Sequence, residues 1–74
     1  MWKEGSVKAG SNIYHYQAKT YDTPSQYGIR RGKISKLSVR LNAQTVIGYD
    51  RGWYKEPSTQ EERVVLFIIL NSLN

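Results

Sequence analysis

The chain has 74 residues, no cysteine, and eleven lysines and arginines against six acidic residues, for a formal net charge of +5. A chain this short buries only about 60% of its unfolded surface and cannot feed two cores, so residues 1–74 are read as a single domain. The absence of cysteine excludes disulfide staples and thiolate metal sites, and the positive balance excludes a DNA mimic and directs attention to anionic partners.

Glu4 to Ala9 reads as a short strand. Gly10-Ser11 supplies a turn, and Ile13 to Tyr21 has the tyrosine, isoleucine and threonine content of a second strand. Period-two geometry puts Tyr14, Tyr16, Ala18 and Thr20 on the core face of that strand and His15, Gln17 and Lys19 on the other. Asp22 to Gly32, with Pro24, Ser25, Gly28 and Gly32, reads as a long loop. Lys33 to Leu41 alternates Leu37, Val39 and Leu41 against Lys36, Ser38 and Arg40, a half-buried strand with a basic outer face. Asn42-Ala43-Gln44 turns the chain into a fourth strand, Thr45 to Tyr49, which must end or bulge at Asp50 to Gly52 because an unpaired Arg51 cannot follow Tyr49 into the core.

Ser58 and Glu61 have the spacing of a capping box, so a helix is expected from there to about Leu73. The expected fold class is therefore α+β: a four-stranded antiparallel sheet followed by one C-terminal helix packed on it, ββββα. At 100° per residue, Val65, Leu66, Ile69, Leu70 and Leu73 form the core face of the helix, leaving Val64, Phe67 and Ile68 on the outer arc. An apolar outer stripe calls for a cover, whether the Asp22 to Gly32 loop, another protein or a second copy of the chain. A homo-oligomer is the expectation.

No catalytic constellation is visible. His15 is the sole histidine, and there is no Walker or dinucleotide fingerprint, so a non-enzymatic protein without cofactor or metal is expected. The longest apolar run, Val64 to Leu70, is too short to cross a bilayer, and the start of the chain has no apolar leader; a cytoplasmic protein with no membrane contact is expected. The chemistry-bearing residues are cationic and aromatic. Arg30, Arg31, Lys33, Lys36 and Arg51 offer donors for phosphate or carboxylate, while Tyr27 and Trp53 offer faces on which a base could stack.

The stretches "YGIRRGKISKL" (Tyr27 to Leu37) and "GYDRGW" (Gly48 to Trp53), with "MWKEGSV" at the start and a terminal helix, resemble a family of small proteins of unknown function from phages and prophages of Gram-positive bacteria. The resemblance implies a phage origin and action in the host cytoplasm, and it brings no catalytic residues. Together these readings lead to a small phage accessory protein that binds. The first expectation is an oligomer whose basic, aromatic pocket sequesters an anionic nucleotide-like small molecule such as a host immune signal. One alternative is an inhibitor or adaptor that grips a host protein through Val64, Phe67, Ile68 and Trp2. The other is a DNA- or RNA-binding protein using the strand face of His15, Lys19, Lys36 and Arg40.

Overall fold

The computed structural model describes residues 2–73 and shows an α+β fold. Its antiparallel strands β1 (Trp2–Ala9), β2 (Asn12–Thr20), β3 (Ile34–Leu41), β4 (Gln44–Asp50) and β5 (Trp53–Lys55) lie side by side in chain order, and one helix, α1 (Gln60–Leu73), packs on a single face of the sheet. The four expected strands are present within one or two residues of their expected ends. The fifth was not foreseen. β5 is three residues long and exposed throughout, so it carries no burial pattern to reveal it and is held by pairing Gly48 with Lys55 and Tyr49 with Trp53.

Two-residue turns join β1 to β2 and β3 to β4, where Ala9 pairs with Asn12 and Leu41 with Gln44. Three register shifts, each with one unpaired residue, interrupt the ladders at Ser35, Val46 and Tyr54. Such bulges bend and twist a sheet. The hydroxyl of Ser35 donates to the carbonyl of Lys19 at 3.0 Å and so ties the first of them across the β2–β3 ladder.

The core lies between the sheet and the helix. Tyr14, Ala18, Leu37, Val39, Ile47 and Tyr49 from the sheet meet Val65, Leu66, Ile69 and Leu70 from α1, as the two periodicities require. Ile34 and Ile29 complete it. Ile29 comes from the 22–32 segment, which forms a 3-10 turn at Ile29–Arg31 closed by Arg31 N–H to Gly28 O and Gly32 N–H to Ile29 O, both 2.9 Å. Burying a side chain of this size contributes about 1.5–3 kcal/mol, so the loop is anchored by its own plug. Gly28 sits where an added Cβ would come within 2.1 Å of the Gly32 carbonyl oxygen, so only glycine closes this turn.

The helix starts one residue later than expected. Thr59, not Ser58, accepts from the Glu62 amide through its hydroxyl at 3.0 Å, and the Glu62 carboxylate accepts from the amides of Ser58 (2.7 Å) and Thr59 (3.3 Å). Both registers fit a capping box by sequence. Tertiary contact selects between them, because Glu61 is taken by Asn12 Nδ2 at 2.6 Å and the Tyr14 hydroxyl at 2.5 Å. Two neutral donors from β2 thereby clamp the first turn of α1 to the sheet.

Val64, Phe67 and Ile68 remain 43%, 56% and 40% exposed. The 22–32 segment, with Ile29 turned into the core, does not cover them. No helix among the described residues is long and apolar enough to cross a membrane.

Candidate functional site

The face of the sheet away from α1 is open, and the strand register decides what it presents. One cross-strand rung holds Trp2, Lys19, Lys36 and Asp50. A second holds Glu4, Gln17, Ser38 and Gly48, and a third holds Ser6, His15, Arg40 and Thr45. Successive rungs on one face are about 7 Å apart, so the two cationic rungs are separated by about 13 Å. Four residues expected on the basic strand face, His15, Lys19, Lys36 and Arg40, thus meet as two directly opposed pairs.

Direct opposition of the like charges of Lys19 and Lys36 is unfavourable by a few tenths to about 1 kcal/mol. Compensation is small. Asp50 lies 3.9 Å from Lys36 Nζ and 3.7 Å from Arg51 Nε, both at the exposed end of the sheet where ion pairs contribute little. Glu4 is engaged by Gln17 Nε2 at 3.2 Å. Among the described residues no carboxylate reaches Lys19, Arg40 or His15.

Aromatic residues flank this cationic centre. Trp2 on β1 is 61% exposed and Tyr54 on β5 is 63% exposed, and both border a shallow pocket of about 160 Å³ whose floor includes Gln17, Lys36, Ser38 and Asp50. Tyr54 reaches it because it is the unpaired residue of the β4–β5 bulge and because its neighbour is Gly48. A Cβ at position 48 would fall 2.1 Å from Tyr54 Cε2, so the absent side chain is the seat of the phenol ring. A larger depression of about 490 Å³ continues over Glu4, Ser6, His15, Gln17 and Arg40.

The seven residues expected to form one ligand pocket are divided between two sides. Lys36 stands on the open face. Arg51, exposed at a φ of 56°, forms the β4–β5 turn with its amide on the Ser35 carbonyl at 3.0 Å. Arg30 and Trp53 line a separate groove on the helix side, with Arg63 of α1. Tyr27 is exposed in the loop and contributes its carbonyl to the Tyr49 hydroxyl at 2.9 Å; Arg31 is exposed beside Arg30, and Lys33 is half-buried just before β3. Trp2, Tyr54 and Arg63 were missing from the expected pocket. Trp2 could have been found by counting back from the Gly10-Ser11 turn, which sets it opposite Lys19. Tyr54 depends on a bulge and Arg63 on the docking of α1, neither of which has a local signal.

Glu61 and Tyr14 are the perturbed titrating pair. The hydrogen bonds from Asn12 and then Tyr14 hold the Glu61 carboxyl below its ordinary range. The bond to Glu61, followed by burial and the carboxylate charges, pushes Tyr14 up to about 12. Their partners are each other and the sheet, which makes them a fastening. No group of three or more His, Cys, Asp or Glu among the described residues could hold a metal ion.

Neither the curated proteins nor the solved structures include a match to this chain. A family model does match it over residues 1–74, and the chain belongs to that family, described as a domain of unknown function (DUF7678).

Proposed function

We propose that the protein binds single-stranded nucleic acid on its open sheet face. The observation that carries this reading is the register that sets Lys19 against Lys36 between the exposed rings of Trp2 and Tyr54, with Arg40 opposite His15 further along the same face. The opposed Lys19 and Lys36 are a local cost to folding that the exposed Asp50 offsets only slightly, and an anionic backbone crossing them removes it. Trp2 and Tyr54 supply stacking faces at the pocket where a base would lie, with Gln17, Ser38 and Asp50 beneath to meet its polar edge. An open sheet face with flanking rings suits unpaired bases, whereas a duplex hides its bases and exposes only grooves.

Of the alternatives set out from the sequence, the strand-face reading is favoured because its four residues converge, while the seven-residue nucleotide pocket does not form as one site. In keeping with the resemblance to small phage and prophage proteins, the protein is read as an accessory that acts in the host cytoplasm by binding.

Fluorescence anisotropy with labelled single-stranded DNA and RNA, competed by duplex of the same sequence, tests the reading. Three cations on the face imply a slope of log affinity against log salt of about −2. Absence of binding at low salt, or equal preference for duplex, rejects it.

A second reading concerns assembly. Val64, Phe67 and Ile68 lie on the side of α1 that faces away from the sheet, so helix-to-helix pairing of two copies would bury this stripe and leave both open faces outward. The protein is therefore proposed to be a homo-oligomer, with capture of a host protein by the same stripe as the competing outcome.

A further inference from the structure

A second groove, on the opposite side of the sheet from the open face, runs between the 3-10 turn, β5 and the start of α1 and has a volume of about 460 Å³. Its floor is apolar, from Ile29 and Leu66, and its rim carries Arg30, Trp53, Glu56 and Arg63. The two guanidinium groups come from elements far apart in sequence, and among the described residues neither forms an ion pair. Arg30 and the adjacent Arg31 also hold backbone φ values of 54° and 57°, a conformation that residues other than glycine rarely adopt and that clusters at binding sites.

The indole is fixed before any ligand arrives. Trp53 meets Tyr49 ring to ring at 5.0 Å and 76°, and the Tyr49 hydroxyl donates to the Tyr27 carbonyl at 2.9 Å, so strand and loop hold the same wall. Rigid walls lower the ordering cost of binding.

We infer that this groove is a site for a nucleoside phosphate, with Arg30 and Arg63 on the phosphate, Trp53 against the base, and Glu56 accepting from a ribose hydroxyl or base amino group. Guanidinium forks match phosphate oxygens, and the volume falls in the range of small-molecule sites. Glu56, on the same groove, can accept from the hydroxyl and amino donors of a nucleoside. The site shares no residue with the sheet face and stands independently of that proposal.

Isothermal titration with AMP, ATP and ADP-ribose, with inorganic phosphate as the reference, tests it. The expected result is that at least one nucleotide binds tenfold or more tightly than phosphate. Arg30→Gln and Arg63→Gln should each weaken that nucleotide by about tenfold, while Lys36→Ala leaves it unchanged. Unaltered thermal unfolding of the variants shows that the loss is not a folding defect. Nucleotides that bind no better than phosphate overturn the inference. So does binding that is lost in Lys36→Ala but kept in Arg30→Gln, an outcome that puts the ligand on the sheet face and leaves the first proposal standing.

Discussion

Lys19 and Lys36 stand directly opposite one another across the β2–β3 ladder, two like charges in register on the open face. Such a pair costs stability, whereas an opposite-charge pair at the same position contributes about 0.2–1 kcal/mol. Lys19→Glu should therefore raise resistance to urea by up to about 1 kcal/mol and at the same time weaken single-stranded nucleic acid by tenfold or more. Denaturation midpoints and anisotropy on the same preparation check both halves. A variant that binds as well as the parent removes Lys19 from the interface.

The Asn42-Ala43 turn carries a similar local cost, with φ of 52° and 67° at its two residues. A two-residue hairpin loop with both φ positive is the type I′ arrangement, for which glycine is the preferred second residue. An L side chain in this region costs roughly 1–2 kcal/mol, part of which glycine returns as unfolded-chain entropy. Ala43→Gly should stabilise the protein by about 0.5–1 kcal/mol, measured by urea unfolding, and leave ligand binding untouched. An equal or lower midpoint would mean that Ala43 is not strained.

The clamp between α1 and β2 predicts how stability depends on pH. Glu61 has a folded pKa below its unfolded value, so its contribution is present above the ordinary carboxylate range and is lost as pH falls through the folded value. For Tyr14 the folded state keeps its proton up to about 12 while the unfolded state releases it near 10.0, so stability declines as pH rises between these values. The profile should be flat near neutrality and fall at both ends. Tyr14→Phe should shrink the alkaline decline, and Glu61→Gln the acid one. Chemical unfolding at pH 3, 8 and 11 reads both, and identical losses in parent and variants would exclude the clamp as their origin.

How much of this was legible follows from where each signal resides. Alternation in 33–41 and helical spacing in 64–73 fixed the core faces, because burial on one side leaves a periodic trace in the residues themselves. The basic strand face was readable for the same reason, as the complement of the apolar face. The pairing of Lys19 with Lys36 was not, since β2 and β3 are joined by the 22–32 segment and a connection that long imposes no register. Nor was the choice between Ser58 and Thr59 as helix cap, which Asn12 and Tyr14 decide from another element. The split between Arg30 and Lys36 has no sequence signal, because residues only six apart lie on either side of the entry to β3 and line different depressions.

Phe67 provides the sharpest test of assembly. It is the most exposed of the three apolar residues on the outer side of α1, and a stripe of this kind on a small basic protein is stable in water only at the risk of association. Sedimentation or native mass spectrometry of the parent should give an integral multiple of the 8.6 kDa chain. Phe67→Asp should give a single chain that still unfolds cooperatively, because the side chain is 56% exposed, and it should lose the concentration dependence of stability that association confers on the parent. Because the open sheet faces point away from the stripe, the variant should bind a short oligonucleotide as the parent does. It should lose the added affinity for long strands that comes from linking two faces, since the second engagement is then no longer intramolecular. A parent that is a single chain at every concentration would refute self-association and leave a foreign protein as the occupant of the stripe.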